Sequence, residues 1–173
     1  MNKILHYIIL LILASAIAGC GEEEISEDDQ KSIAITNSKY DSENNGLRFD
    51  SITVTEFVEL LPINEVYLDN FYIITTIGHA DSTWITKSAI SKLIKHIDSE
   101  QPAYCVMRLV SSHLPIGEKS TLGGQIMNII DSYRLNRPYP YFQTDCSKSD
   151  KERQKVILDW WNKINNLAST EIK

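Results

Sequence analysis

The chain has 173 residues, 43% of them hydrophobic and 23% charged, and a formal net charge of −6. That hydrophobic content is ordinary for a globular chain and argues against wholesale disorder. The acidic balance, with no basic run, argues against nucleic-acid binding, because a phosphate backbone repels such a surface.

Residues 1–19 read as a secretory signal. Lys3 is the one charged side chain ahead of Cys20, and Ile8 to Ile17 are almost wholly aliphatic or small. The apolar run is short for a lasting membrane span, and it closes on small residues suited to cleavage. The closing stretch, Ile17-Ala18-Gly19-Cys20, resembles the lipobox of bacterial lipoproteins. The resemblance implies that Cys20 becomes the acylated first residue of the mature chain and attaches it to a lipid bilayer. Gly21 is not the aspartate that retains enteric lipoproteins at the inner membrane. The outer membrane is therefore favoured, with the domain facing the periplasm or exported to the surface. Gly21-Glu22-Glu23-Glu24 is similar to the acidic export signals of Bacteroidetes lipoproteins, without a clear flanking consensus.

Residues 20–49 read as a lipidated acidic tether. Glu22 to Glu24 and Glu27 to Asp29 give it a charge density with little to bury. A short strand over Ser32–Thr36 with Leu47–Phe49 as its partner is the alternative, making a small N-terminal hairpin. The globular domain is expected over residues 50–173.

There the pattern turns helical. Thr53 or Thr55 caps a short helix burying Phe57, Val58, Leu60 and Leu61, which Pro62 ends. Val66, Tyr67, Leu68, Phe71, Ile74 and Ile77 recur at three- and four-residue steps, which predicts a second helix. The β-branched and aromatic content of Phe71 to Ile77 leaves a strand open there. Thr86 precedes a helix over Lys87–Ile97 with Ile90, Leu93, Ile94 and Ile97 on one face. Pro102 suits the first position of a helix through Val110. Thr121 to Arg134 carries another apolar stripe. Ser149-Asp150-Lys151-Glu152 resembles a capping box for a helix to about Leu167, burying Val156, Ile157, Trp160, Trp161 and Ile164. The expectation is a mainly α domain of about six short helices packed as antiparallel hairpins. The alternative is α+β with the small N-terminal hairpin.

With Cys20 lipidated, Cys105 and Cys146 remain, and an oxidising envelope compartment favours a disulfide between them. Two free thiols or half of a metal site are the competing readings. Ser111-Ser112-His113 sets hydroxyls beside an imidazole, but a helix C-terminus accounts for them, and no Gly-x-Ser-x-Gly elbow is present. His79-Ala80-Asp81, His96 and His113 are scattered, without the spacing of a metal site. No metal or other cofactor is expected. Ser120-Thr121-Leu122-Gly123-Gly124-Gln125 opens a helix and could hold an anion. Capping by Ser120 or Thr121 and close packing at the glycines is the favoured account.

The most unusual composition lies between Tyr133 and Phe142, which holds Arg134, Arg137, Tyr139 and Tyr141. Tyr and Arg dominate protein-interface hot spots, so these four form the candidate binding surface. For the stretch as a whole, the favoured account is a structural lid of Tyr139 and Phe142 over the core near Trp160 and Trp161, with the binding surface as the alternative.

Trp84-Ile85-Thr86, Ser111-Ser112, Ser120-Thr121-x-Gly123 with Met127, Tyr139-Pro140 and Trp160-Trp161 are similar to uncharacterised bacterial lipoproteins with small helical domains. That resemblance implies no activity. The functional expectation is a membrane-anchored envelope lipoprotein that binds another envelope protein, one version being an immunity-type inhibitor of a periplasmic toxin. The alternative is an envelope hydrolase, using His79, Asp81 or His113 with Glu118, or a glycan-binding factor. No catalytic motif is recognisable, so the non-enzymatic reading is favoured.

Overall fold

Ile73-Ile74-Thr75-Thr76-Ile77 is β-branched at every position, and such side chains crowd the preceding turn of a helix but sit well on a pleated surface. In the computed structural model this run is the central strand of a mixed sheet. The structure describes residues 40–41, 46–63, 71–80 and 82–170, all of them within the unit Ser32–Lys173.

The strands are β1 (Tyr40–Asp41), β2 (Gly46–Arg48), β3 (Ile73–Ile77), β4 (Pro102–Ala103), β5 (Cys105–Arg108), β6 (Ser120–Thr121) and β7 (Thr144–Asp145). The main sheet has the order β1-β2-β3-β5-β7. Its centre is parallel, with Leu47 opposite Thr76 and Ile73 opposite Cys105. Its edges are antiparallel, with Tyr40 opposite Leu47 and Val106 opposite Asp145. β4 and β6 form a separate antiparallel pair. The helices are α1 (Val54–Glu59), α2 (Lys87–Leu93), α3 (Leu122–Arg134) and α4 (Lys151–Thr170).

The domain is therefore α+β, which corrects the expected mainly α bundle of about six helices. Two predicted helices are lost. The three- and four-residue spacing that ends in Phe71, Ile74 and Ile77 leads into β3, and its start, Asn64 to Leu68, lies outside the described residues. The helix expected from Pro102 to Val110 is instead β4 and β5. Pro102 opens β4, where its missing N–H costs no ladder bond, and its carbonyl accepts from the Ile63 N–H at 2.9 Å. Cys105 and Val106 are fully buried at the sheet centre. A strand covered on both faces reads as a continuous apolar run, which periodicity cannot separate from a buried helix. The packed unit also takes in residues ahead of Asp50, since Leu47 and Phe49 are core side chains. Ser32–Thr36, the other half of the expected hairpin, lies outside the described residues.

The other helices follow their caps. The Thr53 hydroxyl accepts from the Glu56 N–H and the Glu56 carboxylate accepts from the Thr53 N–H, a capping box that starts α1. Thr86 caps α2 through the Ala89 N–H, and Thr121 caps α3 through the Gly124 N–H. At α4 the cap is Asp150, whose Oδ1 accepts from the N–H groups of Glu152 and Arg153. Ser149 instead donates to the Ser99 carbonyl.

α3 is the axis of the core. Ile126, Met127, Ile129 and Ile130 are fully buried along it, and Ile157 and Trp161 of α4 join the same cluster. Val156, expected on the buried face of α4, is 51% exposed. The start of α3 is jammed against neighbouring backbone: a Cβ on Gly123 would stand 2.5 Å from the Ile97 carbonyl oxygen, and one on Gly124 would strike that of Ser147. These glycines let neighbouring backbone pack closely on the start of the helix.

Candidate functional site

Three features stand out: an exposed aromatic ridge after α3, a buried polar network beneath it, and a cleft beside α1 and α2.

The ridge begins where α3 stops. Asn136 has φ of 50°, a left-handed conformation that asparagine tolerates, and the Arg137 N–H closes back on the Ser132 carbonyl at 2.8 Å. Arg137 is exposed and its guanidinium lies 4.8 Å from the Tyr141 ring centroid. Tyr141 meets Phe142 edge-on at 4.9 Å, and the two are 53% and 61% exposed. A pit of about 90 Å³, lined in part by Leu135, Arg137, Tyr141 and Phe142, opens at their base. The loop after β5 runs alongside. Arg108 N–H donates to the Gln143 carbonyl, Ser111 bonds Thr144 through their hydroxyls, and that loop exposes Val110 and Ile116.

Of the four residues expected to form the binding surface, the ridge therefore holds Arg137 and Tyr141. Arg134 is tied to Asp131 at 2.8 Å, and Asp131 also accepts from Arg153 at 2.7 Å. Tyr139 must be corrected outright, because it is 1% exposed. Its ring packs against Phe49, Phe57 and Trp84, not near Trp160 and Trp161, and its main chain exchanges two hydrogen bonds with Ala80. Phe142 is no lid either.

Beneath the ridge the Tyr139 hydroxyl donates to Gln125 Oε1, and Gln125 Nε2 donates to the Ser120 hydroxyl and the Asp145 carbonyl. Asp145 is almost fully buried, accepting from the Ser147 N–H at 2.9 Å, the Ser147 hydroxyl at 2.6 Å and the Asn128 amide. Burial pushes its carboxyl above the usual carboxylate range, with the Ser147 hydrogen bonds and Arg153 pulling the other way. In the window between the ordinary and the raised value, the folded protein holds a proton that the unfolded chain releases. This group's contribution therefore makes stability fall as pH rises through that window. Asp145→Asn disturbs the hydrogen bonds and is expected to cost about 1–3 kcal/mol in acid. Its deficit against the wild type should narrow as pH rises, as read by denaturant unfolding across pH. A widening deficit would show that Arg153, not burial, controls the carboxyl.

The cleft has a volume of about 690 Å³ and is lined in part by Phe49, Trp84, Thr55, His79, Ser88 and Lys92. Phe49, Phe57, Trp84 and Tyr139 form a cluster of four mutually contacting rings. The Trp84 indole N–H donates to the Ile52 carbonyl at 2.7 Å, which fixes that ring at the cleft.

The remaining candidates stand apart. The Ser111 hydroxyl bonds Thr144 and the His113 main chain, not the His113 imidazole, and no helix ends there. His79 lines the cleft, whereas His113 and Glu118 do not, and Asp81 lies outside the described residues. Among the described residues no three His, Cys, Asp or Glu side chains are grouped to hold a metal. Cys105 and Cys146 are joined as a disulfide, Cα–Cα 4.5 Å, linking β5 to the residue after β7 rather than to a Pro102 helix. Cys20 lies outside the described residues. Among those residues no helix is long and apolar enough to cross a membrane. No family model matches the chain, and no curated protein or solved structure shows significant similarity to it.

Proposed function

We propose that this protein is a lipoprotein of the bacterial envelope, anchored through acylated Cys20, whose domain binds another envelope protein through the ridge of Arg137, Tyr141 and Phe142. The observation that carries the reading is the ridge itself: two large aromatic rings, each more than half exposed, packed edge-on with an arginine over one of them. Rings left in water gain from being covered, and Tyr and Arg are the side chains on which interface energy concentrates. The ridge is also pre-ordered. The Tyr139–Ala80 bonds, the closed end of α3 and the Cys105–Cys146 link hold its base, so little entropy is lost on docking. The residues before Cys20 support the address. In one version the partner is a toxin delivered to the periplasm, and the domain is its immunity-type inhibitor.

Site-specific photo-cross-linking in the source bacterium tests this on the full chain. A photoreactive side chain at position 141 or 142 should give one adduct of the same mass, weakened by Arg137→Ala and missing when the probe is at exposed Val156. Adducts of equal yield from all three positions, or none at 141 and 142, would sink the binding reading. Cys20→Ala should move the chain out of the membrane fraction. If it stays there, the anchor is something else.

A further inference from the structure

The cleft beside α1 and α2 is separate from the ridge, and its polar groups divide into two sets. Asp50 is paired with Arg48 at 2.7 Å, and Glu56 is held in the capping box of Thr53. The hydroxyls of Thr53 and Thr86 are occupied as helix caps. Thr55, Ser88, His79 and Lys92 line the same cleft, and their side chains carry no such commitment among the described residues. Trp84, partly exposed, lines the cleft with them, as does the edge of the buried Phe49. Trp84 is stacked on Tyr139 with 15° between the rings and tethered by its indole N–H, so its position is set before any ligand arrives.

The chemistry of a ligand follows from this division. A wholly apolar molecule would strip water from two hydroxyls, an imidazole and an ammonium without replacing its hydrogen bonds. A multiply charged phosphate ester would meet Asp50 and Glu56 on a chain of net charge −6. A pyranose ring has an apolar C–H face and a rim of hydroxyls, so it can rest on the partly exposed Trp84 while bonding the polar groups around it. The volume, about 690 Å³, lies within the range of small-ligand sites and admits more than one ring. Lys92 adds a place for a single negative charge.

We infer that this cleft binds a short oligosaccharide, one hexose resting on the accessible part of Trp84, with a carboxylate directed to Lys92. The full-length protein in detergent is titrated with two disaccharides: N-acetylglucosamine joined to N-acetylmuramic acid, which carries a carboxylate, and neutral di-N-acetylglucosamine. The readout is the Trp84 indole N–H resonance, assigned with Trp84→Phe. Both sugars should shift it saturably, the acidic one binding about threefold tighter, as for one exposed charge pair. Lys92→Gln should remove that preference. Trp84→Ala would damage the core, so the deciding variants are Ser88→Leu and Thr55→Leu, which fill the cleft from its rim and should abolish the shift without lowering thermal stability. No shift with either sugar, or a shift that survives both rim variants, overturns the site. Equal affinity for the two sugars overturns the role of Lys92. Ridge cross-links at 141 and 142 are unaffected by any of these results, so the two readings fail separately.

Discussion

Tyr139→Ala is expected to destabilise the domain by about 3–5 kcal/mol, the cost typical of deleting a buried aromatic side chain. Tyr139 is 1% exposed and contacts Phe49, Phe57 and Trp84 at centroid distances of 5.9, 5.7 and 5.9 Å. Those contacts join the residues before α1 to the loop after α3, so the cavity left behind opens between segments that cannot collapse independently. Tyr139→Phe isolates the polar part. It keeps the ring but leaves Gln125 Oε1 without the hydroxyl, in a side chain that is fully buried, at a cost of about 1–3 kcal/mol. Denaturant unfolding of the oxidised protein measures both. The same variants separate core from surface: Tyr139→Phe should leave the cross-links at 141 and 142 in place. A loss of adduct without a loss of stability would put Tyr139 back among the contact residues.

The alternation around Tyr139 explains why the binding surface was only half legible. The sequence shows an aromatic and arginine-rich stretch, and composition alone marks it as unusual. Which rings face inward is decided by the left-handed turn at Asn136 and by the bridge from Tyr139 to Ala80, far away in sequence. Tyr139 and Tyr141 are two residues apart, which would place them on one side of an extended strand. Here one is buried and the other exposed. Arg134 was legible as a surface cation but not as a partner of Asp131, which also holds Arg153 from another helix. The cleft as such is not legible: the sequence marks His79 and Trp84 one by one, but nothing in it joins residues from Phe49 to Thr55 with residues from His79 to Lys92.

The fold divides in a similar way. Helix starts were legible where a threonine supplies a local cap: Thr53, Thr86 and Thr121 each do what their sequence context implies. Local hydrogen bonds leave local signals. The central strands leave none of that kind, since β3 and β5 owe their state to pairing with each other across some thirty residues. Ile74 and Val106 would satisfy a helix or a strand equally well. Apolar spacing in a long run predicts helix there, whereas β-branching at Ile73 to Ile77 points to the strand that forms.

The remaining large effect is expected at the disulfide. Cys105 and Cys146 are 41 residues apart, and closing a loop of that length lowers the entropy of the unfolded chain by an amount worth about 4 kcal/mol in the chain-entropy model. For a domain whose whole stability is on the order of 5–15 kcal/mol, that is a large share. The link also has a particular place. β7 contributes only two residues to the edge of the sheet, and the residues that follow it carry Ser147, which bonds both Asp145 and the Ser120 hydroxyl. Without the bond, this edge should open before the rest of the sheet, and the ridge stands on it. The double variant Cys105→Ala/Cys146→Ala is therefore expected to unfold at lower denaturant, by about 4 kcal/mol, and reductant should bring the wild type to the same value. Hydrogen exchange should rise first at Thr144 to Ser147 and through Tyr141 and Phe142, with β3 protected longest. If the double variant matches the oxidised wild type within about 1 kcal/mol, the edge is held by the polar network alone. The disulfide would then contribute nothing to the order of the ridge.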